Sequence, residues 1–337
     1  MEDKTKNKPE TKMEENENKN LEKKLIELED PATVPYYEPN ALKELNDGRI
    51  IFFTLKGNQI IVMSISLMGS ESDIFIKIED GEVNSIIQLK DNLVVYGTDS
   101  GLIDIITLSK NSYVSNQKII NENDYIIKLV ELNDLNFVSI MKNNIIKLYV
   151  KKENKYENTK TIKFESNEYF LSGIESSINN NLLVISYSKF LFVDIYNEKI
   201  LKEINANDKE ENNKNNVDSK NISLFPENCL RYKNTIIVAG ISQFYLIDCV
   251  KQEIIKKAKI ENANFPCVTL TKFVGESFVT GSGFGEMMQY KLNEKGDDLI
   301  FICEAALYLD RVMTCVYSKC GRYIIGEYNG LVILSFY

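Results

Sequence analysis

The 337-residue sequence contains no histidine and no tryptophan. Without imidazole there is no Ser-His-Asp or Cys-His nucleophile system, no His-ligated metal and no imidazole pH switch. Arginine is nearly as scarce: of 40 basic residues only Arg49, Arg231, Arg311 and Arg322 carry a guanidinium, while the net charge is −9. Phosphate binding needs clustered cations and base reading favours the Arg fork, so nucleic acid is disfavoured as the main ligand. No run of eighteen apolar residues occurs, and no membrane span is expected. All six cysteines (Cys229, Cys249, Cys267, Cys303, Cys315, Cys320) lie in the C-terminal third, and no pair has the C-x-x-C spacing of a zinc or redox site. They read as free thiols in a reducing compartment, the cytoplasm or the nucleus.

What is present falls into three parts. Residues 1–20 are charged, Asn-rich and almost free of apolar side chains, a composition that cannot offset the entropy of ordering, so a disordered tail is expected there. In residues 21–30, LEKKLIELED, the residues Leu21, Leu25, Ile26 and Leu28 recur at helical spacing and Pro31 ends the run. One short amphipathic helix is expected, either folded back on the domain or acting as a docking helix for a partner groove. From residue 32 to 337 the helical pattern gives way to runs of four to eight Ile, Val, Phe, Tyr and Leu residues between Gly, Asn, Asp and Ser turns.

These runs repeat. Aligned on the tight turn after the most apolar strand, the units mark Asn58, Gly101, Asn144, Lys189, Gln243, Gly285 and Gly330, at intervals of 43, 43, 45, 54, 42 and 45 residues. The single long interval holds the polar low-complexity stretch 205–221, read as an inserted surface loop. An upstream and a downstream strand flank each central pair, as in Val83–Leu89 before LVVYG, and four strands per 40 to 45 residues is the content of a propeller blade.

Ser318-Lys319-Cys320-Gly321-Arg322-Tyr323 and Gly97-Thr98-Asp99-Ser100-Gly101 match the "Ser-x-x-Gly-apolar" and "Gly-Ser-x-x-Gly" elements of WD40 repeats, and from about Ala41 to Tyr337 the chain resembles that family. The resemblance implies an all-β, seven-bladed propeller. The family's Trp-Asp and Gly-His are missing: Ile106, Tyr149, Asp194, Asp248, Tyr290 and Ser335 stand where Trp is expected. Its Asp-His-Ser/Thr-Trp network therefore has no counterpart in kind, and apolar burial alone is expected to hold the blades. A stack would need polar end caps, whereas Leu331–Tyr337 is as apolar as any internal strand. Closure is therefore expected through Thr33–Tyr37 as an N-terminal strand completing the last blade.

No motif carries catalysis. GSGFG at 281–285 is followed by the strand-like EMMQYKL rather than by a helix, which makes it a turn and not a dinucleotide loop. Asp104, Asp194 and Asp248 lie inside apolar third strands and read as hydrogen-bonded structural acids, and the pairs Phe52-Phe53 and Phe190-Phe192 read as core. No catalytic, cofactor-binding or metal residues are expected, and no small-molecule substrate. The expected role is a non-catalytic protein–protein interaction scaffold inside an intracellular complex, with other proteins as partners. The alternatives are a subunit of an RNA-processing or ribosome-assembly complex and, less favoured, a propeller enzyme using carboxylates.

Overall fold

A computed structural model describes residues 39–337 apart from 55–57, 67–68, 122–123, 133–134, 166–167, 177–180, 207–228, 241–242, 261–266, 274–275, 283–284, 307–311, 320, 328–329 and 336–337. The expected tail, the helix carrying Leu21, Leu25, Ile26 and Leu28, the segment Thr33–Tyr37 and nearly all of the 205–221 insert lie outside the described residues.

The chain runs through consecutive antiparallel meanders. The first is β1 (Pro39–Glu44), β2 (Ile50–Thr54), β3 (Gln59–Ser66) and β4 (Gly69–Lys77). The second is β5 (Val83–Gln88), β6 (Val94–Thr98), β7 (Leu102–Leu108) and β8 (Tyr113–Ile120). The third is β9 (Ile126–Glu131), β10 (Phe137–Met141), β11 (Ile145–Lys152) and β12 (Lys155–Lys163). The fourth is β13 (Phe170–Glu175), β14 (Asn181–Ser186), β15 (Lys189–Asp194) and β16 (Lys199–Asn205). The fifth is β17 (Cys229–Tyr232), β18 (Thr235–Ala239), β19 (Gln243–Asp248) and β20 (Glu253–Lys259). The sixth is β21 (Cys267–Lys272), β22 (Ser277–Ser282), β23 (Glu286–Leu292) and β24 (Leu299–Ala306). The last repeat gives only β25 (Val312–Tyr317), β26 (Arg322–Glu327) and β27 (Gly330–Ser335).

The expected count is thereby corrected. Among the described residues the propeller has six four-stranded blades, not seven; the seventh repeat forms a sheet of three strands, and no N-terminal strand completes it. The described part also contains no helix. The apolar period locates each repeat but does not count its strands, which is why it overestimates the number of complete blades.

Burial follows position within a blade. The second strands β2, β6, β10 and β18 are buried at every residue, because each is covered on both faces by a neighbouring sheet. The outer strand β8 is exposed along most of its length. Period-2 alternation sends successive side chains to opposite neighbours: Ile236 and Val238 pack toward the fourth blade, Ile237 and Ala239 toward the sixth. The core is thus a series of apolar clusters between sheets rather than one central mass, with Phe52, Phe190 and Phe192 fully buried in it.

The ring closes by packing of the first sheet on the last. Leu42, Phe52 and Met63 share a cluster with Ile324 and Leu331. The backbone N–H of Leu42 donates to Thr314 Oγ1 at 3.2 Å, and the N–H of Lys319 donates to the Glu44 carboxylate at 2.9 and 3.0 Å. The seven marked turns all fall at or next to the start of a third strand. At Gly101, φ is +90° and an added Cβ would lie 1.9 Å from the Asn121 carbonyl oxygen, so that turn admits only glycine.

Candidate functional site

The acids singled out in third strands are structural. Asp104, 2% exposed, accepts hydrogen bonds from Tyr96 Oη at 2.9 Å and Ser115 Oγ at 2.7 Å. Asp194 accepts from the backbone N–H groups of Tyr196 and Asn197, and Asp248 from those of Val250 and Lys251, closing the tight turns after β15 and β19. GSGFG is the turn between β22 and β23, with Gly285 at φ +79°.

Apolar burial does not act alone, contrary to expectation. In the third blade Tyr149, at a position where the family has Trp, donates through its hydroxyl to Asn121 Oδ1 at 3.0 Å. Lys147 donates to the same oxygen at 2.9 Å and pairs with Asp124 at 2.8 Å. In the fourth blade the Glu168 carboxylate accepts from the hydroxyls of Ser186 and Ser188. Burial works to raise the Glu168 pKa, but these hydroxyls and the Ser188 N–H more than offset it and hold the carboxyl below its usual range. Each network ties a turn between second and third strands to the loop that enters the blade, the task of the absent Asp-His-Ser/Thr-Trp set.

A surface suited to binding lies where the inner strands end. Strand register puts one residue of each inner strand opposite the first apolar residue of its second strand: Glu44, Gln88, Glu131, Glu175, Arg231, Lys272 and Tyr317. These equivalent positions form a polarised ring at one mouth of the channel, with acids on the first, third and fourth sheets and cations on the fifth and sixth. A cavity of about 360 Å³ opens there among β1, β5, β9, β13 and β17, and Lys43, Lys128, Glu131 and Cys229 help to line it.

The charges of this ring are unevenly satisfied. Glu44 accepts from the Lys319 N–H groups, and Glu175 lies 3.8 Å from Arg231. Glu131 has a buried oxygen, Oε1, with no hydrogen-bond partner, and burial raises its pKa against the pull of Lys90 and Lys43. Lys272 sits over the Tyr232 ring, 5.4 Å from its centroid; burial and then repulsion by Arg231 lower its pKa. Sequence reading missed this ring because its members become equivalent only once the register is known. Among the described residues no cluster of acids and cysteines suits a metal ion, and no helix is long and apolar enough to cross a membrane.

No family model matches the chain, and no curated protein does. Solved structures match over nearly its whole length. A chain of the mitotic checkpoint complex aligns with 100% of this chain and 97% of its own, at TM-score 0.67 and 13% identity. The WD40 β-propeller domain of Doa1 aligns with 89% of this chain and 94% of its own, at TM-score 0.65 and 12% identity. A streptogramin B lyase aligns with 93% of this chain and 97% of its own, at TM-score 0.66 and 11% identity, so the same architecture also carries an enzyme. Meander sheets around a channel, a 42- to 45-residue period and these likenesses agree: the chain has the β-propeller fold of the WD40-repeat proteins.

Proposed function

We propose that this propeller is a non-catalytic protein–protein interaction scaffold, a subunit of an intracellular multiprotein complex. The observation that carries the reading is an apolar outer edge. Ile300, Phe301 and Ile302 on β24 are 53%, 37% and 43% exposed in consecutive positions, on a strand whose outer backbone groups have no neighbouring strand. An exposed apolar edge promotes aggregation unless something covers it, and contiguous exposed apolar surface marks interaction sites. The likeness to a chain of the mitotic checkpoint complex supports the same reading. The carboxylates around the channel have assigned neighbours or stand singly, and none is paired in the manner of glycosidase acids. A cytoplasmic or nuclear location belongs to the proposal, supported by Cys229, Cys249, Cys303 and Cys315 all being free thiols.

The test is purification of the tagged full chain from its own cells. Stoichiometric partner polypeptides are expected, and one of them should be lost on Ile300→Lys with Ile302→Lys, lysine being a residue that edge strands tolerate. Elution at the mass of the lone chain, with no stoichiometric partner, would contradict the scaffold role.

A further inference from the structure

The basic sector of the channel mouth carries an inference that does not rest on the scaffold reading. Arg231 and Lys272 occupy the same register position on the neighbouring inner strands β17 and β21, one facing Ile236 and the other Phe278. Like charges are thus held side by side in a protein whose net charge is −9, an arrangement that folding alone does not favour. The guanidinium is fixed by its Nε, which donates to the Lys233 carbonyl at 2.9 Å. Its remaining nitrogens face Glu175 at 3.8 Å, well beyond the ~2.7–2.9 Å of a charge-assisted hydrogen bond. Among the described residues no carboxylate forms an ion pair with Lys272, whose ammonium rests on the Tyr232 ring. Cys229, two residues before Arg231 and so on the same side of β17, lines the 360 Å³ cavity that Lys43 and Lys128 also line.

We propose that this sector of the channel mouth is an anion site, in which Arg231 and Lys272 together bind a multiply charged oxyanion, a phosphate or polycarboxylate group. The guanidinium supplies a planar pair of donors and the ammonium a point charge, a combination suited to tetrahedral or branched oxyanions. Binding relieves the repulsion between the two cations, and the ligand competes with Glu175 for Arg231.

Isothermal titration of the full chain at constant ionic strength, with pyrophosphate in one arm and tricarballylate in the other and sodium chloride as the blank, tests this. Saturable binding is expected, and the tighter arm tells a phosphate-bearing ligand from a carboxylate-bearing one. Lys272→Gln and Arg231→Gln should each weaken it by about tenfold or more, the loss of one charged hydrogen-bond donor. Glu175→Gln should tighten it, because the competing acid is gone; a merely structural pair would not behave so. Circular dichroism checks each fold, and the Glu175→Gln result decides if a weakened variant is misfolded. No saturable binding by the unsubstituted chain, equal affinity in Lys272→Gln, or no tightening in Glu175→Gln would overturn the proposal.

Discussion

Asp104 lies between sheets with a carboxylate 2% exposed and no cation among its hydrogen-bond partners, so what it stabilises is set by two neutral donors. Removing it in Asp104→Ala strands the Tyr96 hydroxyl, whose residue is 4% exposed, while half-buried Ser115 can turn to water. An unsatisfied buried hydroxyl costs about 1–3 kcal/mol, and the void left by the carboxylate adds to it. Relief from burying a carboxylate subtracts from the total, so the net loss is about 2 kcal/mol. Tyr96→Phe alone should cost a similar amount, by leaving Asp104 Oδ2 unpaired. Replacing both, Tyr96→Phe with Asp104→Leu, removes donor and acceptor together and should cost much less than the sum, since matched apolar replacement is nearly neutral. Urea unfolding of the four proteins followed by fluorescence and circular dichroism, with coincident transitions as the check on two-state analysis, measures the cycle. A loss below about 0.5 kcal/mol for Asp104→Ala, or additive losses in the double variant, would refute the claim that this network does the work of the missing tryptophan set.

Gly101→Ala should destabilise the second blade by about 2 kcal/mol or more, because φ there is +90° and the new Cβ meets the Asn121 carbonyl at 1.9 Å; thermal unfolding reads it, and an unchanged melting point would contradict the turn geometry. Burial raises the Glu131 pKa, so the folded chain holds that proton more tightly than the unfolded chain. Its contribution is therefore favourable at low pH and lost as pH rises through the raised value, and Glu131→Gln should raise the melting point at pH 7 relative to pH 4; the opposite ordering would contradict the sign. Deleting residues 207–221 should leave the melting point nearly unchanged, since closure entropy grows slowly with loop length, and a drop of several degrees would show that the insert packs on the blades.

Much of this architecture is legible in the sequence because its strongest signals are local. The turn before each third strand needs a residue tolerant of positive φ at Gly101, Asn144 and Gly285, and the five-residue second strands must be apolar on both faces, so period and strand pair appear without alignment. The polar ties were hidden because their members are distant in sequence: Tyr149 meets Asn121, and Ser188 meets Glu168. Asn, Glu and Ser carry no signal of their own where a family normally shows Asp, His and Trp. The ring at the channel mouth was hidden for a different reason. Glu131, Glu175, Arg231 and Lys272 look like ordinary strand-end charges until register makes them equivalent. Strand number in the last repeat depends on what pairs with β27, and no property of Leu331 or its neighbours encodes that.

The central structural claim is that the first and last repeats meet, through Leu42, Glu44, Thr314 and Lys319, to close the ring. Spin labels introduced as non-natural amino acids at Asn46 and Lys319, both exposed and on opposite sides of that seam, test it without touching the native cysteines. Electron paramagnetic resonance should show strong dipolar broadening in the folded chain that disappears in urea. Spectra of the folded protein without broadening, matching the sum of the two singly labelled chains, would mean that the seam is open and that the repeats do not form a closed propeller.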